Sequence, residues 1–471
     1  MRRLVRRTVF LLTLLGAIML TPNSLGQKTL AQTADKPNIL LILTDDQPYQ
    51  TLDYMPETWN LLGAEGTTFD RAYLSDPLCC PSRATILTGR YTHNHGIESN
   101  SLATGGGAEK FRGDGLDQDT IATRLKAAGY ATGYFGKYLN EYEGPYIPPG
   151  WDRWMTYSGD LTFKDSYQMN DQGQIRTYDA SQTNETRLTA SKAARFVDDH
   201  QAEPWFMVVA PRAPHGPYYP SEKHSGDFDS VALPEPPSFN ELDVSDKPRA
   251  VQRISPLGEE EIAGLRNQYE GKLETLQDVD DLVGRLVGRL DDTGQLQETY
   301  VVYMSDNGWL FGEHRLDAKA KPYEESIRTP FLVRGPGVPA GRTRQELVAN
   351  VDIASTFAGW AGSKAPANTD GRSFASLLSA ASPPGGWRKR LLIEHFTTEE
   401  SRNWIGLRTP RYTYVERPDS GEIEIYDNEA DPYQLESIHD TADPTLLENL
   451  HTRLEALKGC VAETCRTAEG P

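Results

Sequence analysis

The chain has 471 residues, of which 38% are hydrophobic and 24% are charged. This length and composition fit an ordinary globular protein made of one large domain with an appendage, or of two domains. The formal net charge of −19 argues against a nucleic-acid-binding function, because contacts to phosphates need a surplus of lysine and arginine.

The first 26 residues have the composition of an export signal. Four arginines precede an apolar run of 13 residues, and small residues of a cleavage site follow at 24–26. The run is too short to span a bilayer comfortably, and no later run approaches spanning length. We therefore predict a signal peptide over 1–26, and a mature protein that is secreted or periplasmic and has no stable membrane anchor.

Three short apolar runs, at residues 38–43, 205–209 and 300–304, are typical of buried parallel strands. Each run is followed by polar side chains, which are Asp45 and Asp46, then His215, then Asp306 and Asn307. An amphipathic helix over 262–290 precedes the third run, and a shorter helix at 121–128 precedes a strand at 131–135. This alternation predicts a doubly wound α/β domain over residues 36–385, with ligands bound beyond the carboxyl ends of the strands.

The pattern changes after residue 386. Four short strand-like stretches joined by turns are followed by a helix over 444–457, which predicts a small antiparallel sheet with one helix over 386–471. Cys460 and Cys465 lie close together near the end, and in an exported protein we expect them to form a disulfide. The adjacent pair Cys79 and Cys80 cannot easily bridge and needs another explanation.

The twelve residues from Cys79 to Arg90 resemble the signature of type I sulfatases, C-x-P-S-R-x-x-x-L-T-G-R, at every fixed position. Only Cys79, and not Cys80, has the required proline and arginine behind it. The resemblance implies a mixed α/β sheet of the alkaline phosphatase and sulfatase type. It also implies that a formylglycine-generating enzyme converts Cys79 to formylglycine, whose hydrate has one hydroxyl to attack sulfur and another to expel sulfate afterwards.

The same resemblance implies a metal site. Asp45, Asp46, Asp306 and Asn307 match the family patterns T/A-D-D and D-N-G, and together with residue 79 they are the predicted metal ligands. Oxygen ligands of this kind favour a hard divalent cation, and Ca²⁺ fits them better than Zn²⁺. Bound there, Ca²⁺ would polarise a sulfate oxygen.

Three cations and one histidine complete the predicted catalytic set. Arg83 lies one helical turn after Cys79, Lys137 follows the strand at 131–135, and Lys319 belongs to a stretch that resembles the family's K-x-x-x-Y-E. Lys321 is the alternative if that alignment is shifted. These cations would stabilise charge on the sulfate in the transition state. His215 resembles the family histidine near the leaving oxygen, and we expect it to act as general acid.

One position departs from the family pattern, and three further histidines are candidates for substrate contact. Asn140 stands where many sulfatases keep a second histidine, and an amide cannot serve as a strong base, so the group that takes the proton during sulfate expulsion stays open. His93 and His95 are substrate contacts or simply part of a polar loop. His314 is a candidate contact to the leaving group.

The region before residue 155 most resembles the N-acetylglucosamine-6-sulfatases, so a sulfated carbohydrate is the expected substrate. Phosphonate monoester or phosphodiester hydrolysis is the alternative within the same superfamily, because those enzymes also use a formylglycine from C-x-P-S-R. A calcium-dependent glycan-binding protein without turnover is the alternative of another class. It would need neither Cys79 nor the complete cationic set.

Overall fold

The computed structural model describes residues 36–159, 165–379, 385–397 and 403–471. The predicted signal peptide at 1–26 lies outside these residues. Among the helices in the described ranges, none is both long enough and apolar enough to cross a membrane.

The described residues form the following strands and helices. The strands are β1 (Asn38–Thr44), β2 (Thr67–Phe69), β3 (Ala72–Tyr73), β4 (Ala131–Gly136), β5 (Arg153–Tyr157), β6 (Ser166–Asp171), β7 (Gln174–Asp179), β8 (Trp205–Ala210), β9 (Thr299–Ser305), β10 (Leu310–Phe311), β11 (Asp317–Ala318), β12 (Phe331–Arg334), β13 (Arg342–Arg344), β14 (Val348–Ala349), β15 (Leu391–His395), β16 (Trp404–Arg408), β17 (Tyr412–Arg417) and β18 (Glu422–Asp427). The helices are α1 (Pro56–Thr58), α2 (Cys79–Thr88), α3 (Thr92–His95), α4 (Gly107–Gly113), α5 (Ile121–Ala127), α6 (Glu185–Asp199), α7 (Arg249–Gln252), α8 (Glu259–Asp292), α9 (Glu324–Ile327), α10 (Ile353–Trp360), α11 (Ala375–Ser379), α12 (Pro444–Lys458) and α13 (Glu463–Glu469).

Ten strands of the described residues form one mixed sheet in the order β13-β2-β12-β9-β1-β8-β4-β5-β6-β7. The five central strands, from β9 to β5, are all parallel. The sheet becomes antiparallel where β12 pairs with β9, and again where β6 pairs with β5. The mixed α/β fold predicted from the sequence is therefore confirmed.

Helices cover both faces of this sheet, so successive residues of its central strand enter different cores. Ile39 and Leu41 of β1 pack in a core cluster with residues of α2, α5 and α10. Leu40 and Ile42 pack in a second cluster with residues of α6 and α8. Burial on both faces explains why the central strands are continuous apolar runs in the sequence.

A separate antiparallel sheet with the order β15-β16-β17-β18 follows, as the sequence predicts. Its apolar residues form a third core cluster with α12 and with two aromatic residues near α2 and α3, Tyr73 and Tyr91. Cys460 and Cys465 are joined by a disulfide. The small sheet therefore shares a core with residues just before and just after the helix that begins at Cys79.

Candidate active site

Four oxygen-bearing side chains meet where β1 and β9 end. The strands are parallel neighbours whose last residues are register partners, so the residues after them leave the sheet at the same edge. Asn307 donates from Nδ2 to Asp46 Oδ1 at 2.6 Å, and the backbone N–H of Asp46 donates to Asp306 Oδ1 at 3.3 Å. Asp46 turns the chain with a left-handed φ of 66°. With the buried Asp45, the structure brings the four predicted oxygen ligands together.

Cys79 lies beside these oxygens as the first residue of α2, at the positive end of that helix. Its thiol donates to Asp45 Oδ1 at 3.4 Å, and its Sγ accepts from Lys319 Nζ at 2.8 Å. Burial, with the Asp45 carboxylate, raises the pKa of the Cys79 thiol to about 12. The unmodified thiol is therefore protonated at neutral pH and is a poor nucleophile. Its sulfur marks the place that an oxygen of an oxidised side chain would take.

Two lysines that are far apart in the sequence contact these carboxylates. Lys137, directly after β4, is buried and donates to Asp45 Oδ2. Lys319 donates to Asp46 Oδ1 as well as to Cys79 Sγ. This geometry favours Lys319 over the alternative Lys321 as the predicted cation.

Arg83 supplies the third cation, one turn along α2 from Cys79. Its Nε donates to Asp306 Oδ2 at 2.7 Å, and its Nη1 donates to the Lys137 carbonyl at 2.6 Å. Its Nη2 lies 3.8 Å from Asp45 Oδ2 and has no hydrogen-bond partner among the residues that the structure describes. A buried N–H without a partner is costly, so this guanidinium is ready to hold an anionic ligand.

The charges of this cluster depend on one another. Burial alone would raise the pKa of Asp45, but the positive charge of Lys137 and its neighbours holds that pKa well below its usual range. Burial and the Asp45 charge raise the pKa of Asp306 to about 6. Burial would lower the pKa of Lys137, but the Asp45 carboxylate raises it above its usual value. The cluster therefore keeps its lysines charged although they are out of water.

His215 approaches the same acids from the loop after β8. Its Nε2 lies 3.7 Å from Asp46 Oδ2, and its Nδ1 lies against the Gly216 carbonyl. A carbonyl can only accept, so Nδ1 must carry hydrogen and Nε2 is the nitrogen that faces the acids. Burial lowers the pKa of His215 to about 4.

Lys272 of α8 belongs to the site although no sequence motif contains it. Its ammonium donates to the backbone carbonyls of Asp46 and Pro214 at 3.0 and 3.2 Å, and it lies 3.9 Å from the ring centroid of Trp309. Burial lowers the pKa of Lys272 to about 8. In the sequence this lysine is one polar residue of an amphipathic helix, and only the packing of α8 against the strand ends brings it here.

The donor set fits a hard cation. Asp46 Oδ2 is buried and has no hydrogen-bond partner in the part of the chain that is described. The Lys319 ammonium already lies among Asp46, Asn307 and Cys79. Ligand atoms of Asp45, Asp46, Cys79 and His215 all lie within 4.8 Å of one another. Carboxylate and amide oxygens around one point are the ligands that Ca²⁺ and Mg²⁺ prefer.

Two predicted substrate contacts, His93 and His95, are occupied by bonds within the protein. His93 bonds to Glu394 through Nδ1, at 2.9 Å from Oε2, and its Nε2 lies 3.0 Å from the Cys460 carbonyl. His95 is buried, and its ring nitrogens meet Thr85 Oγ1 at 3.1 Å and a backbone N–H at 3.0 Å. These bonds tie His93 to the C-terminal segment and His95 to α2. They give no support to a role in substrate contact.

His314 and Asn140 keep one free polar atom each. His314 is fully buried, with Nδ1 at 2.7 Å from Glu241 Oε2 and its ring stacked on Tyr323. Within the described ranges, His314 Nε2 and Asn140 Oδ1 are buried without a hydrogen-bond partner. These contacts do not connect either residue to Cys79, so their roles in substrate binding stay predictions.

Comparisons with known proteins identify the family of this chain. The sulfatase family model matches residues 37–363, and the model of the N-sulphoglucosamine sulphohydrolase C-terminal region matches residues 312–459. The putative extracellular sulfatase Sulf-1 homolog of Caenorhabditis elegans is 37% identical over 76% of this chain, which spans only 52% of that relative. The N-acetylglucosamine-6-sulfatase of Capra hircus is 32% identical over 94% of this chain and 87% of its own length.

Solved structures show the same fold. A protein in complex with its substrate D-glucosamine-2-N,6-O-disulfate is similar with a TM-score of 0.77 and 26% identity, over 89% of this chain and 97% of that one. The phosphonate monoester hydrolase of Agrobacterium radiobacter has a TM-score of 0.70 at 19% identity, over 90% of this chain and 96% of its own, so it shares the fold alone. On the family match over most of its length and on its relatives, this chain belongs to the sulfatase family.

Proposed function

We propose that this protein is an exported sulfatase that removes sulfate from an O-sulfated sugar of the N-acetylglucosamine 6-sulfate class. The observation that carries the proposal is that Arg83, Lys137 and Lys319 contact the carboxylates and the thiol around residue 79, at the start of α2. A helix start and three cations favour binding of a negatively charged tetrahedral sulfate group, with residue 79 placed to reach its sulfur.

Residue 79 is proposed to act as formylglycine, and several contacts support Cys79 over Cys80. Cys79 faces Asp45 and Lys319, whereas Cys80 packs into the apolar cluster under α2. Burial raises the pKa of the Cys80 thiol to about 11, so it too is protonated. The hydrated aldehyde supplies two hydroxyls on one carbon, one for attack on sulfur and one for releasing sulfate afterwards.

Asp45, Asp46, Asp306 and Asn307 would hold Ca²⁺, together with an oxygen of the modified residue 79. The partnerless Asp46 Oδ2 and the all-oxygen donor set support this assignment. When bound, the ion polarises a sulfate oxygen and favours ionisation of the attacking hydroxyl.

The chain's own residues orient the sulfate and handle the proton on the leaving group. Lys137 and Lys319 offer N–H donors beside residue 79, and the free Nη2 of Arg83 offers another. These donors are fixed before the substrate arrives, because each cation is also held by a carboxylate or carbonyl of the protein. His215 Nε2 faces this cluster and is unprotonated in the neutral ring. We propose that Nε2 takes the proton that the attacking hydroxyl of residue 79 gives up, because the bound anionic sulfate ester favours the charged ring, and that it then delivers this proton to the leaving sugar oxygen.

The sugar class rests on the relatives. The Capra hircus relative is an N-acetylglucosamine-6-sulfatase, and the similar solved structure holds a glucosamine sulfated on nitrogen and on oxygen 6. Export is proposed from the arginines and apolar run at the start of the chain.

Turnover assays on protein carrying the modified residue test this function. We expect hydrolysis of an aryl sulfate to exceed that of matched aryl phosphonate and aryl phosphodiester esters, and N-acetylglucosamine 6-sulfate to be preferred over its 3- and 4-sulfated isomers. Faster turnover of the phosphonate or the phosphodiester would make the protein a hydrolase of that kind. Sugar binding without any turnover would contradict an enzymatic function.

A further inference from the structure

A second group of metal-ligand side chains lies outside the candidate active site. His224 belongs to the loop after β8, and Asp278 and Asp281 lie one turn apart on α8. One ligand atom from each of these three residues lies within 4.8 Å of the others. The group combines one nitrogen and two oxygen ligands on two separate segments of the chain.

The ring of His224 is held in the orientation that a metal ligand needs. Its Nδ1 lies 3.0 Å from Asp227 Oδ2, and its Nε2 lies 3.1 Å from Asp281 Oδ2. A carboxylate that accepts from Nδ1–H leaves the Nε2 lone pair free for an ion, as in the carboxylate–histidine–metal arrangement. Two tetrahedral ligands with bonds of about 2.1 Å to one ion lie about 3.4 Å apart, so the 3.1 Å between Nε2 and Oδ2 would have to lengthen slightly when the ion binds.

Asp278 provides an oxygen that lacks a partner. The residue is only 2% exposed, and its Oδ2 accepts from Ser221 N–H at 2.7 Å and from Asn184 Nδ2 at 3.2 Å. Its Oδ1 is buried with no hydrogen-bond partner anywhere in the described residues. Burial raises the pKa of Asp278, and the hydrogen bonds from Ser221 offset this increase only in part. A buried carboxylate oxygen of this kind is costly unless something else contacts it.

One cation already contacts the group and would have to move. Lys223 Nζ donates to both oxygens of Asp281, at 2.8 and 2.7 Å. Its side chain is 61% exposed, so it can turn into solvent without losing buried contacts. An exposed ion pair of this kind contributes little stability and does not prevent binding of a divalent ion.

We propose that His224, Asp278 and Asp281 bind a divalent transition-metal ion that fastens residues 221–227 to α8. A mixed imidazole and carboxylate set favours Zn²⁺ or a similar ion over Ca²⁺, which prefers oxygen ligands alone. Water would complete the coordination, because Asp281 is partly exposed. The site is thus separate in ligand chemistry and in position from the oxygen cluster around Asp46.

The ion would affect the thermal stability of the protein and not its catalytic turnover. The helix α8 also carries Lys272, whose ammonium supports the carbonyls of Asp46 and Pro214. A metal between α8 and the loop after β8 therefore fixes two segments that frame the candidate active site, but touches none of its side chains. We expect it to raise the melting temperature and to leave turnover of an aryl sulfate unchanged.

Zinc titration calorimetry on the full chain, with Ca²⁺ in excess to occupy the oxygen site, tests this proposal. The wild type should bind one zinc ion per chain, and His224→Gln and Asp281→Asn should each weaken its binding by at least about tenfold. His200→Gln is the matched control, because His200 pairs with a single carboxylate, Glu203. Zinc should raise the melting temperature of the wild type and of this control but not that of His224→Gln.

The rival state is a protonated His224 held between Asp227 and Asp281, with no metal. It predicts that the wild type binds no zinc, or binds it as tightly as both variants do, and either result would overturn the proposal. Should His224→Gln fail to fold, Asp281→Asn decides alone, since the Asp281 side chain is 41% exposed and its loss leaves little buried charge.

Discussion

The protein contains two buried networks of opposite charges that differ in the balance between their positive and negative groups. The first is the cluster around Cys79. The second, which we call the Arg388 network, consists of Tyr91, Asp352, Arg372, Arg388 and Glu469. There Arg388 pairs with Asp352 and, at 3.2 Å, with Glu469, which Arg372 also contacts at 3.0 Å. The other oxygen of Glu469 accepts from Tyr91 at 2.5 Å, and the other oxygen of Asp352 accepts a backbone N–H at 2.9 Å.

The Arg388 network balances two guanidinium groups against two carboxylates. The Cys79 cluster has three carboxylates but four cations, counting Lys272. Both networks leave buried polar atoms without hydrogen bonds in the described chain, among them Glu469 Oε2 in the Arg388 network and Asp46 Oδ2 in the Cys79 cluster. Buried charge and unused polar atoms therefore do not identify a catalytic site, whereas surplus positive charge beside one nucleophile position distinguishes the Cys79 cluster.

The largest contrast should come from matched changes of a buried carboxylate. Asp306→Asn removes a proposed calcium ligand, and we expect turnover to fall by about 1,000-fold or more because the ion and Arg83 both lose a charged partner. Asp352→Asn in the Arg388 network should leave turnover nearly intact and lower the melting temperature. The wild type and Asp352→Asn should both gain thermal stability from added Ca²⁺, measured by calorimetry. If Asp306→Asn shows the same gain, it is not a ligand.

The next largest effects on activity and on stability should come from removing one buried cation from each network. Lys137→Met should lower kcat/KM by about 100- to 1,000-fold, because it removes a donor that stabilises charge in the transition state. Arg388→Met should instead cost about 3–5 kcal/mol of unfolding free energy, because Asp352 stays buried without its paired cation and Glu469 keeps only Arg372. Steady-state kinetics and urea unfolding measure both quantities. Equal losses of activity in the two folded variants would contradict the division between the networks.

The smallest predicted effect on stability is that of changing His93, whose side chain contacts Glu394 and the Cys460 carbonyl in the C-terminal part of the chain. Burial would lower its pKa, but the hydrogen bond and charge of Glu394 raise the pKa of His93 to about 9, above an unfolded value near 6.5. The stability from this pair is therefore complete below about pH 6.5 and is lost as the pH rises through about 9. A shift of this size corresponds to about 3 kcal/mol.

His93→Gln should remove this pH-dependent part of the stability and leave kcat/KM for a small aryl sulfate unchanged. Unfolding free energies of wild type and variant, measured from pH 6 to 10, should converge as the pH rises. His200→Gln serves as the control, because His200 is a half-buried histidine that pairs with the single carboxylate of Glu203. The opposite result would be a variant that binds the sulfated sugar more weakly and whose unfolding free energy depends on pH as that of the wild type does. That result would show that His93 contacts the substrate.

Much of the central fold could be predicted from the sequence, because strands buried on both faces must be continuous apolar runs. The edge strands β6 and β7 could not, since β7 is largely exposed and has no apolar pattern. The strand β2 is only three residues long and depends on pairing with β12. Short, exposed strands are specified by their partners across the sheet, and a local pattern does not contain that information.

The same limit applies to the site. Asp45 and Asp46 could be predicted to lie at the edge of the sheet because they follow a continuous apolar run, and Cys79 is identified by the resemblance of its twelve-residue motif to a family signature. Lys272 could not, because its role depends on which side of α8 faces the strand ends. The partners of His93, at residues 394 and 460, lie more than 300 positions away in the chain. Contacts over that distance follow only from the assembled fold.

Mass spectrometry of the tryptic peptide from Ala72 to Arg83 tests the central claim most directly, because that peptide contains both Cys79 and Cys80. The protein should be made together with a formylglycine-generating enzyme and assayed on an aryl sulfate in parallel. We predict an aldehyde at residue 79, an intact thiol at residue 80, and turnover proportional to the converted fraction. Fully active protein with an unmodified thiol at Cys79, or with the aldehyde at Cys80, would contradict the account.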